Sequence, residues 1–176
     1  MILTDKINIT IALAGQPNVG KSTVFNLLTG LNQHVGNWPG KTVEQKTGIF
    51  QYNGNQYNIV DLPGTYSLTA NSAEEVIARD FIIREKPQVV VAVVNSAALK
   101  RNLYLVSELL TLNVPVILAL NMIDVAKEEG QKIILEMLEK NMGVQVVPMI
   151  AAKNIGITEL RNSVRQSTSW PRKKRL

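Results

Sequence analysis

Short apolar runs alternate along the chain with segments whose apolar positions recur every three or four residues. The apolar runs occupy residues 7–14, 89–94, 114–120 and 144–149. Helical periodicity is found at residues 23–28, 72–85, 99–112, 131–141 and 157–166. The β-branched run at 89–94 is typical of a strand that is buried on both faces. This alternation predicts a doubly wound α/β sheet with mostly parallel strands.

One hairpin interrupts the alternation. Residues 42–52 and 56–61 have strand character, and Asn53-Gly54 between them predicts a type I′ turn. The whole pattern therefore predicts six strands with one antiparallel edge strand. Residues 31–41 show no periodicity and predict a long loop, the kind of segment that often carries function.

Composition is that of an ordinary globular protein. The chain has 176 residues, of which 45% are apolar and 19% are charged. We expect one domain over residues 1–166 and a polar tail over 167–176. There is no Cys, which excludes disulfides and thiolate chemistry, and the single His34 disfavours a histidine metal site. The apolar runs are shorter than the ~20 residues of a membrane span, and we expect this chain to be soluble and cytoplasmic.

The net charge of +5 is concentrated at one end of the chain. Four of the positive charges are Arg172, Lys173, Lys174 and Arg175, which leaves the remainder with a net charge of +1. A basic face for nucleic acid is therefore not indicated. The tail is interpreted as a linker or chain end, with a contact to acidic lipid or RNA as the alternative.

A phosphate-binding motif lies between the first strand and the first helix. Residues 15–22 read GQPNVGKS and match G-x-x-x-x-G-K-[ST] at every fixed position. In this motif the loop amides bind the phosphates, Lys21 reaches the β- and γ-phosphates, and the Ser22 hydroxyl binds Mg²⁺. The alternative is a glycine-rich turn that binds nothing.

Polar residues follow two further strands, where α/β sheets place their ligands. Asp61 and Gly64 form D-x-x-G, in which the carboxylate serves Mg²⁺ and the glycine amide approaches the γ-phosphate. Asn121 and Asp124 form N-x-x-D. Asp124 can accept hydrogen bonds from guanine N1–H and N2–H₂, donors that adenine lacks, and Asn121 can serve the purine and brace the phosphate loop. The alternative for each motif is an ordinary polar turn.

Weaker signals come from four further places in the chain. Residues 151–153 (AAK) follow the last strand and offer a backbone amide to guanine O6. Thr42 borders the strand after the long loop and is the candidate for the remaining Mg²⁺ ligand. His34 is interpreted as a solvated loop residue rather than a catalyst. Trp38, flanked by Gly and Pro, is either a hydrophobic anchor or part of a moving element.

Taken together, these motifs resemble the N-terminal G domain of the FeoB ferrous-iron transporters. The phrases that carry the resemblance are residues 15–22, VGNWPG at 35–40 with Thr42, DLPGTYSL at 61–68, and residues 121–124. The resemblance covers about residues 6–165. It implies a Ras-like fold, hydrolysis of GTP to GDP with Mg²⁺, and switch segments near 32–43 and 62–75. It also implies that the native protein continues into helical and transmembrane regions, with this domain at the cytoplasmic face of the membrane.

The chain departs from related GTPases at three positions. Thr65 stands where Ras-like proteins carry a water-positioning Gln, Met122 replaces the usual Lys, and Ala151 replaces a common Ser. The last two changes predict modest nucleotide affinity and fast exchange. The resemblance further implies a K⁺ ion held by Asn18 and by the carbonyls of Gly36 and Trp38, which would stabilise developing charge as an arginine does. Alternatively, Asn18 only tolerates an unusual backbone conformation.

The predicted site is therefore extensive. Lys21, Thr42, Gly64 and Asn18 are assigned to catalysis. The predicted contacts to GTP or GDP and its ions are Gly15, Asn18, Val19, Gly20, Lys21, Ser22, Thr23, Gly36, Trp38, Thr42, Asp61, Gly64, Asn121, Met122, Asp124, Ala151, Ala152 and Lys153. Ser22, Thr42 and Asp61 are assigned to Mg²⁺.

The predicted function is that of a K⁺-stimulated GTPase switch of an iron(II) transport protein. The expected partners are a guanine nucleotide, the rest of the transporter and, as an open question, a second copy of the chain; nucleic acid is not expected. Two alternatives remain open, an RNA- or ribosome-associated GTPase and a nucleotide-sensing module that does not depend on turnover.

Overall fold

The computed structural model of the chain describes residues 8–169. Within that range the chain forms seven strands and six α-helices. The strands are β1 (Asn8–Gly15), β2 (Gln33–Asn37), β3 (Glu44–Tyr52), β4 (Asn55–Asp61), β5 (Val89–Asn95), β6 (Val116–Asn121) and β7 (Gln145–Pro148). The helices are α1 (Lys21–Thr29), α2 (Ala73–Glu85), α3 (Leu99–Thr111), α4 (Ile123–Glu128), α5 (Leu135–Met142) and α6 (Ile157–Ser169). Short 3₁₀ turns occupy Ser96–Ala98 and Ala151–Lys153.

All seven strands belong to one sheet, in the order β2-β3-β4-β1-β5-β6-β7. β1 is parallel to both of its neighbours, β4 and β5, and β6 and β7 continue the parallel part. β3 is antiparallel to β4 and to β2. Because the connections turn to opposite sides of the sheet at β1, the segment after β1 lies at the switch point where such sheets bind ligands.

Two hydrophobic layers cover the sheet, one on each face. Alternate residues of β1 serve different layers: Ile11 and Leu13 face α1 and α6, whereas Ala12 and Ala14 face the helices on the other side. β5 and β6 are buried along nearly their whole length. This two-sided burial explains their continuous apolar runs.

The predicted α/β architecture is confirmed, but the strand count of six was too low. Residues 33–37 were predicted as loop and form β2, which pairs with β3 and adds a second antiparallel strand. The side chains of β2 are exposed apart from the half-buried Gly36, so no alternation of apolar and polar residues marks it as a strand. Its stabilisation comes from backbone pairing, which leaves little trace in the side-chain pattern.

Several local predictions can be checked directly. Asn53 and Gly54 both have positive φ, 48° and 80°, as a type I′ turn requires. The predicted helix at 131–141 begins later, at Leu135, while α4 was not predicted. α6 continues through Ser169, so the first residues of the predicted tail are helical. The basic residues 172–175 lie outside the described residues.

Candidate functional site

The phosphate loop connects β1 to α1 and lines a cavity of about 630 Å³. The cavity is lined by Gln16, Pro17, Asn18, Gly20, Lys21, Ser22, Thr23, Gly64 and Met122. A Cβ on Gly15 would lie 2.6 Å from the Val93 carbonyl oxygen, and Gly20 has φ +89° with Asn121 directly against it. Both positions therefore require glycine. Asn18 is exposed and also left-handed, with φ 63°.

Lys21 donates a hydrogen bond from Nζ to Oδ1 of Asp61, and the two side chains form an ion pair. Asp61 is only 8% exposed. Burial raises the pKa of Asp61 above its ordinary value of 3.8, while the positive charge of Lys21 opposes the rise. The D-x-x-G carboxylate is therefore a buried group that needs a cation beside it, and Lys21 supplies that charge in this conformation.

Asn121 ties the phosphate loop to the predicted base-binding loop. Its Nδ2 donates to the Val19 carbonyl at 2.9 Å, and its Oδ1 accepts from the Ala151 amide at 2.9 Å. The bond to Val19 joins residues 102 positions apart in sequence, and Asn121 is 3% exposed. The brace to the phosphate loop that the motif suggested is present.

A residue that the sequence motifs did not identify forms a hydrogen bond with the backbone of Asn121. Ser96, fully buried at the end of β5, donates from Oγ to the Asn121 carbonyl at 2.6 Å. Asp61 and Asn121 are the last residues of their strands, and Ser96 directly follows the last residue of β5, so attention to strand ends could have identified it.

Asp124 is paired within the chain. Its Oδ2 accepts from Lys153 Nζ at 2.9 Å and its Oδ1 from the Val125 amide at 3.1 Å. The Lys153 ammonium holds the pKa of Asp124 below its ordinary value of 3.8, and the carboxylate raises the pKa of Lys153 in turn. Met122, two residues before Asp124, has φ 60° and lines the phosphate cavity.

Other predicted contacts are distributed along these same loops. Val19 and Ala151 are buried and act through their backbone, as the bonds to Asn121 show. Ser22 and Thr23 are exposed in the first turn of α1 and line the cavity. Ala152 is exposed in the 3₁₀ turn beside Ala151.

The first switch segment lies outside the lining of the phosphate-loop cavity. Among the described residues that line the phosphate cavity, Gly36, Trp38 and Thr42 do not occur. Gly36 is paired with Gln45 in the sheet, and the Trp38 carbonyl accepts a hydrogen bond from the Lys41 amide at 2.9 Å. In this conformation the three predicted ligands are not assembled with Asn18 and Ser22.

Trp38 anchors this segment to the body of the domain. It is 8% exposed and packs edge-to-face on Phe81 of α2, with ring centroids 5.6 Å apart. Its Nε1 is buried without a hydrogen-bond partner among the described residues. The hydrophobic-anchor interpretation of Trp38 therefore holds for this conformation.

The second switch segment lies against the phosphate loop. The Thr65 amide donates to the Gly15 carbonyl at 3.2 Å, and a Cβ on Gly64 would lie 3.3 Å from Pro17 Cα. Further on, the Leu68 amide donates to Glu108 of α3 at 2.7 Å. Gly64 thus lies against the phosphate loop and lines its cavity.

A capping interaction closes the second switch segment at α2. Ser72 caps the helix by accepting from the Glu75 amide at 3.1 Å. The Glu75 carboxylate does not complete the reciprocal capping box as its main bond; it accepts from the Asn71 amide at 2.9 Å and from Ser67 at 2.8 Å. These bonds lower the pKa of Glu75, the Asn71 amide most.

Together the fold and the site define a Ras-like P-loop domain of the GTP-binding class. The family model described as ferrous iron transport protein B matches residues 9–164. The chain belongs to this family, the FeoB iron transporters, and corresponds to its G domain.

Individual relatives agree with that assignment. The Fe(2+) transporter FeoB of Methanocaldococcus jannaschii is 56% identical over 154 residues, and that of Legionella pneumophila strain Paris is 47% identical over 156. These matches cover 88% and 86% of this chain but 23% and 21% of the relatives. The chain therefore spans less than a quarter of the length of these two transporters.

Solved structures of relatives match the whole domain. The FeoB G domain from Methanococcus jannaschii aligns with a TM-score of 0.83 at 49% identity, covering 93% of this chain and 99% of that one. The cytosolic domain of T. maritima FeoB in its GMPPNP form aligns with a TM-score of 0.87 at 43% identity, covering 92% and 64%. Within residues 8–169, none of the helices combines the length and hydropathy that a membrane crossing needs.

Proposed function

We propose that this domain binds and hydrolyses GTP as the switch of a ferrous-iron transport protein, with Mg²⁺ required and K⁺ stimulating. The observation that supports this most directly is the pair of hydrogen bonds made by the Asn121 side chain, which joins the phosphate loop to the predicted base-binding loop. A nucleotide has the same two ends to be held, the phosphates and the base. Family membership supports the iron transporter over the RNA-associated alternative.

Phosphate binding would exchange the ion-pair partners of Lys21 and Asp61. Lys21 and Asp61 neutralise each other in this conformation. Bound phosphates would draw Lys21 away, and Asp61 would then need a new cation, because a buried carboxylate without one is costly. A Mg²⁺ ion fits that requirement, since it prefers oxygen ligands such as the Ser22 hydroxyl and the carboxylate. Mg²⁺ would neutralise charge on the β- and γ-phosphates.

Base selection rests on Asp124. Its two oxygens already accept from two N–H donors, Lys153 and Val125. Guanine N1–H and N2–H₂ present donors of the same kind, while adenine would leave the carboxylate unpaired. Lys153, 62% exposed, is free to swing off the carboxylate when the base arrives.

Catalysis requires the first switch segment to change its position. Thr42 and the carbonyls of Gly36 and Trp38 lie away from the cavity, whereas Asn18 lines it. The K⁺ site therefore needs β2 to leave the sheet and bring these carbonyls to Asn18. The low burial of β2 makes that departure inexpensive.

The test is GTP hydrolysis by the purified domain with Mg²⁺ in matched KCl and NaCl buffers. Asn18→Gly removes the side chain yet keeps the left-handed backbone at no steric cost, so it separates the ligand role from backbone tolerance. Asn53→Gly, at another left-handed position in the distant hairpin, is the matched control. We expect at least about tenfold K⁺ stimulation in the wild type and in Asn53→Gly, and loss of it in Asn18→Gly.

Other outcomes separate the parts of the proposal. Equal rates in the two salts would remove the K⁺ mechanism and leave the GTPase. Tight GDP binding with no hydrolysis in either salt would favour the nucleotide-sensing module.

The setting of the domain is proposed from the family alone. We infer a location at the cytoplasmic face of the membrane, joined to helical and transmembrane regions of the complete transporter. Coupling between nucleotide state and Fe²⁺ passage is tested by measuring iron uptake with Asn18→Gly in the full-length protein.

A further inference from the structure

Gln16, the second residue of the phosphate loop, has an unusual environment for a polar side chain. It is 2% exposed, and its Nε2 donates to the Arg101 carbonyl of α3 at 2.9 Å. A carbonyl can only accept, so this bond fixes the orientation of the amide group. Among the described residues, the buried Oε1 has no hydrogen-bond partner.

An unpaired buried acceptor carries a free-energy cost that native structures usually avoid. An apolar side chain of similar shape would fill the same space without that cost. The cost would be recovered in any conformation that brings a donor to Oε1. The question is therefore which nearby group moves.

The second switch segment contacts the residues immediately before and after Gln16. The Thr65 amide bonds to Gly15, the residue before Gln16, and Gly64 lies against Pro17, the residue after it. Thr65 itself is 4% exposed, and its hydroxyl can donate a hydrogen bond. A γ-phosphate that attracts the Gly64 amide would shift Thr65 directly.

We propose that Gln16 is a positioning residue for the triphosphate state: its Oε1 accepts a hydrogen bond from the Thr65 hydroxyl when the second switch segment closes on the γ-phosphate. Nε2 remains on Arg101, so the closed segment is connected to α3 through the phosphate loop. This inference rests on the proposed nucleotide function. It gives Thr65 a task at the position where related GTPases carry the catalytic glutamine.

The test compares two nucleotides in a double-mutant cycle. Gln16→Met and Thr65→Val remove the acceptor and the donor with little change in shape, and the double variant completes the cycle. Affinities for fluorescent GDP and fluorescent GMPPNP are measured for all four proteins. We expect each single variant to lower GMPPNP affinity about fivefold relative to GDP affinity, and the double variant to lose no more than either single.

The ratio of the two affinities separates positioning from support of the fold. A loss of stability alone would weaken both nucleotides together, since both bind the folded domain. Gln51→Met, on the exposed side of β3, is the matched control and should leave the ratio unchanged. Should Gln16→Met fail to fold, Thr65→Val still carries the ratio test.

Two results would overturn the inference. An unchanged ratio in both single variants would mean that Oε1 is satisfied in both states, for instance by water. Fully additive losses would mean that the two side chains do not meet. If the wild type binds and hydrolyses GTP while these results are obtained, only this inference fails; if the wild type binds neither nucleotide, the proposed function fails with it.

Discussion

The two sides of the candidate nucleotide site differ in how much of their geometry is fixed by hydrogen bonds within the domain. On the base side, buried hydrogen bonds run from Ser96 to Asn121 and on to Val19 and Ala151. On the side of the first switch segment, β2 is held by the edge of β3, and its Val35 is 54% exposed. The hydrogen bonds of the first side are all made in this structure, while the second side lies outside the lining of the cavity.

This difference has a physical basis. A site that recognises a base gains affinity from being preorganised, because no ordering cost is due at binding. A segment that must report the presence of one phosphate needs two conformations of similar free energy. Low burial and a single paired edge keep the free energy of opening small. Four changes would break or sharpen the comparison.

The largest effect is expected for Asn121→Ala. The substitution leaves the Val19 carbonyl and the Ala151 amide unpaired in a buried place, so the domain should lose about 2–4 kcal/mol of unfolding free energy. Urea unfolding measures the loss, and GDP titration should show weaker binding in parallel. Asn141→Ala, on the exposed side of α5, is the control and should change little. A stable Asn121→Ala domain would mean that the base side is not preorganised by this bond.

Trp38→Ala should act locally rather than globally. It removes the contact with Phe81 that holds the first switch segment, so the amide hydrogens of β2 should exchange at least about tenfold faster. Hydrogen exchange by mass spectrometry resolves the region. Trp38→Phe keeps an aromatic ring and omits the unpaired Nε1, and it should have a much smaller effect. Loss of global stability as large as in Asn121→Ala would contradict the contrast between the two sides.

Ser72→Ala tests the start of α2, the end of the second switch segment. The hydroxyl accepts the Glu75 amide, and removing an N-cap of this kind costs about 1 kcal/mol. Thermal unfolding provides the measurement, with Ser107→Ala on the exposed side of α3 as the control, expected within about 0.5 kcal/mol of the wild type. Equal losses in the two variants would indicate that the cap does not operate.

Lys153→Met should have the smallest effect, since the ion pair that it removes is exposed. Lys153 lowers the pKa of Asp124, so the variant should titrate at higher pH than the wild type, as NMR of the carboxyl carbon can measure. The pair stabilises the fold above the pKa of Asp in the unfolded chain, and this contribution is lost as pH falls through the lower folded pKa. Between pH 6 and 8 the small difference in stability between the variant and the wild type should therefore not vary with pH, and an unshifted pKa of Asp124 would refute the pairing.

Much of the fold could be predicted because its signals are local. β5 and β6 are buried on both faces and carry continuous apolar runs, and the Asn53-Gly54 turn carries its own backbone signature. The phosphate loop was found for the same reason, as the fixed positions of its motif are adjacent in sequence. β2 escaped prediction because its stability comes from pairing with β3, and its exposed side chains follow no period.

The rest of the candidate site depends on contacts between distant parts of the chain. The hydrogen bond from Gln16 to Arg101 joins residues 85 positions apart. Gln16 also stands at a variable position of the motif, so the motif assigns its side chain no role. The pairing of Asp124 with Lys153 likewise joins two motifs that had been interpreted separately. The location of the first switch segment is a matter of conformation, which the motif residues leave open.

The register of β2 also determines what the domain exposes when that strand leaves. β2 covers Glu44 to Gly48 of β3, and Glu44 and Lys46 in this stretch form an ion pair at 2.9 Å. Departure of β2 would therefore uncover a strand edge that carries charges of both signs. Charged side chains on an edge discourage it from joining the sheet of another molecule. If β2 leaves the sheet as proposed, the domain would open this edge in each round of nucleotide binding and hydrolysis and would remain protected from aggregation while it does so.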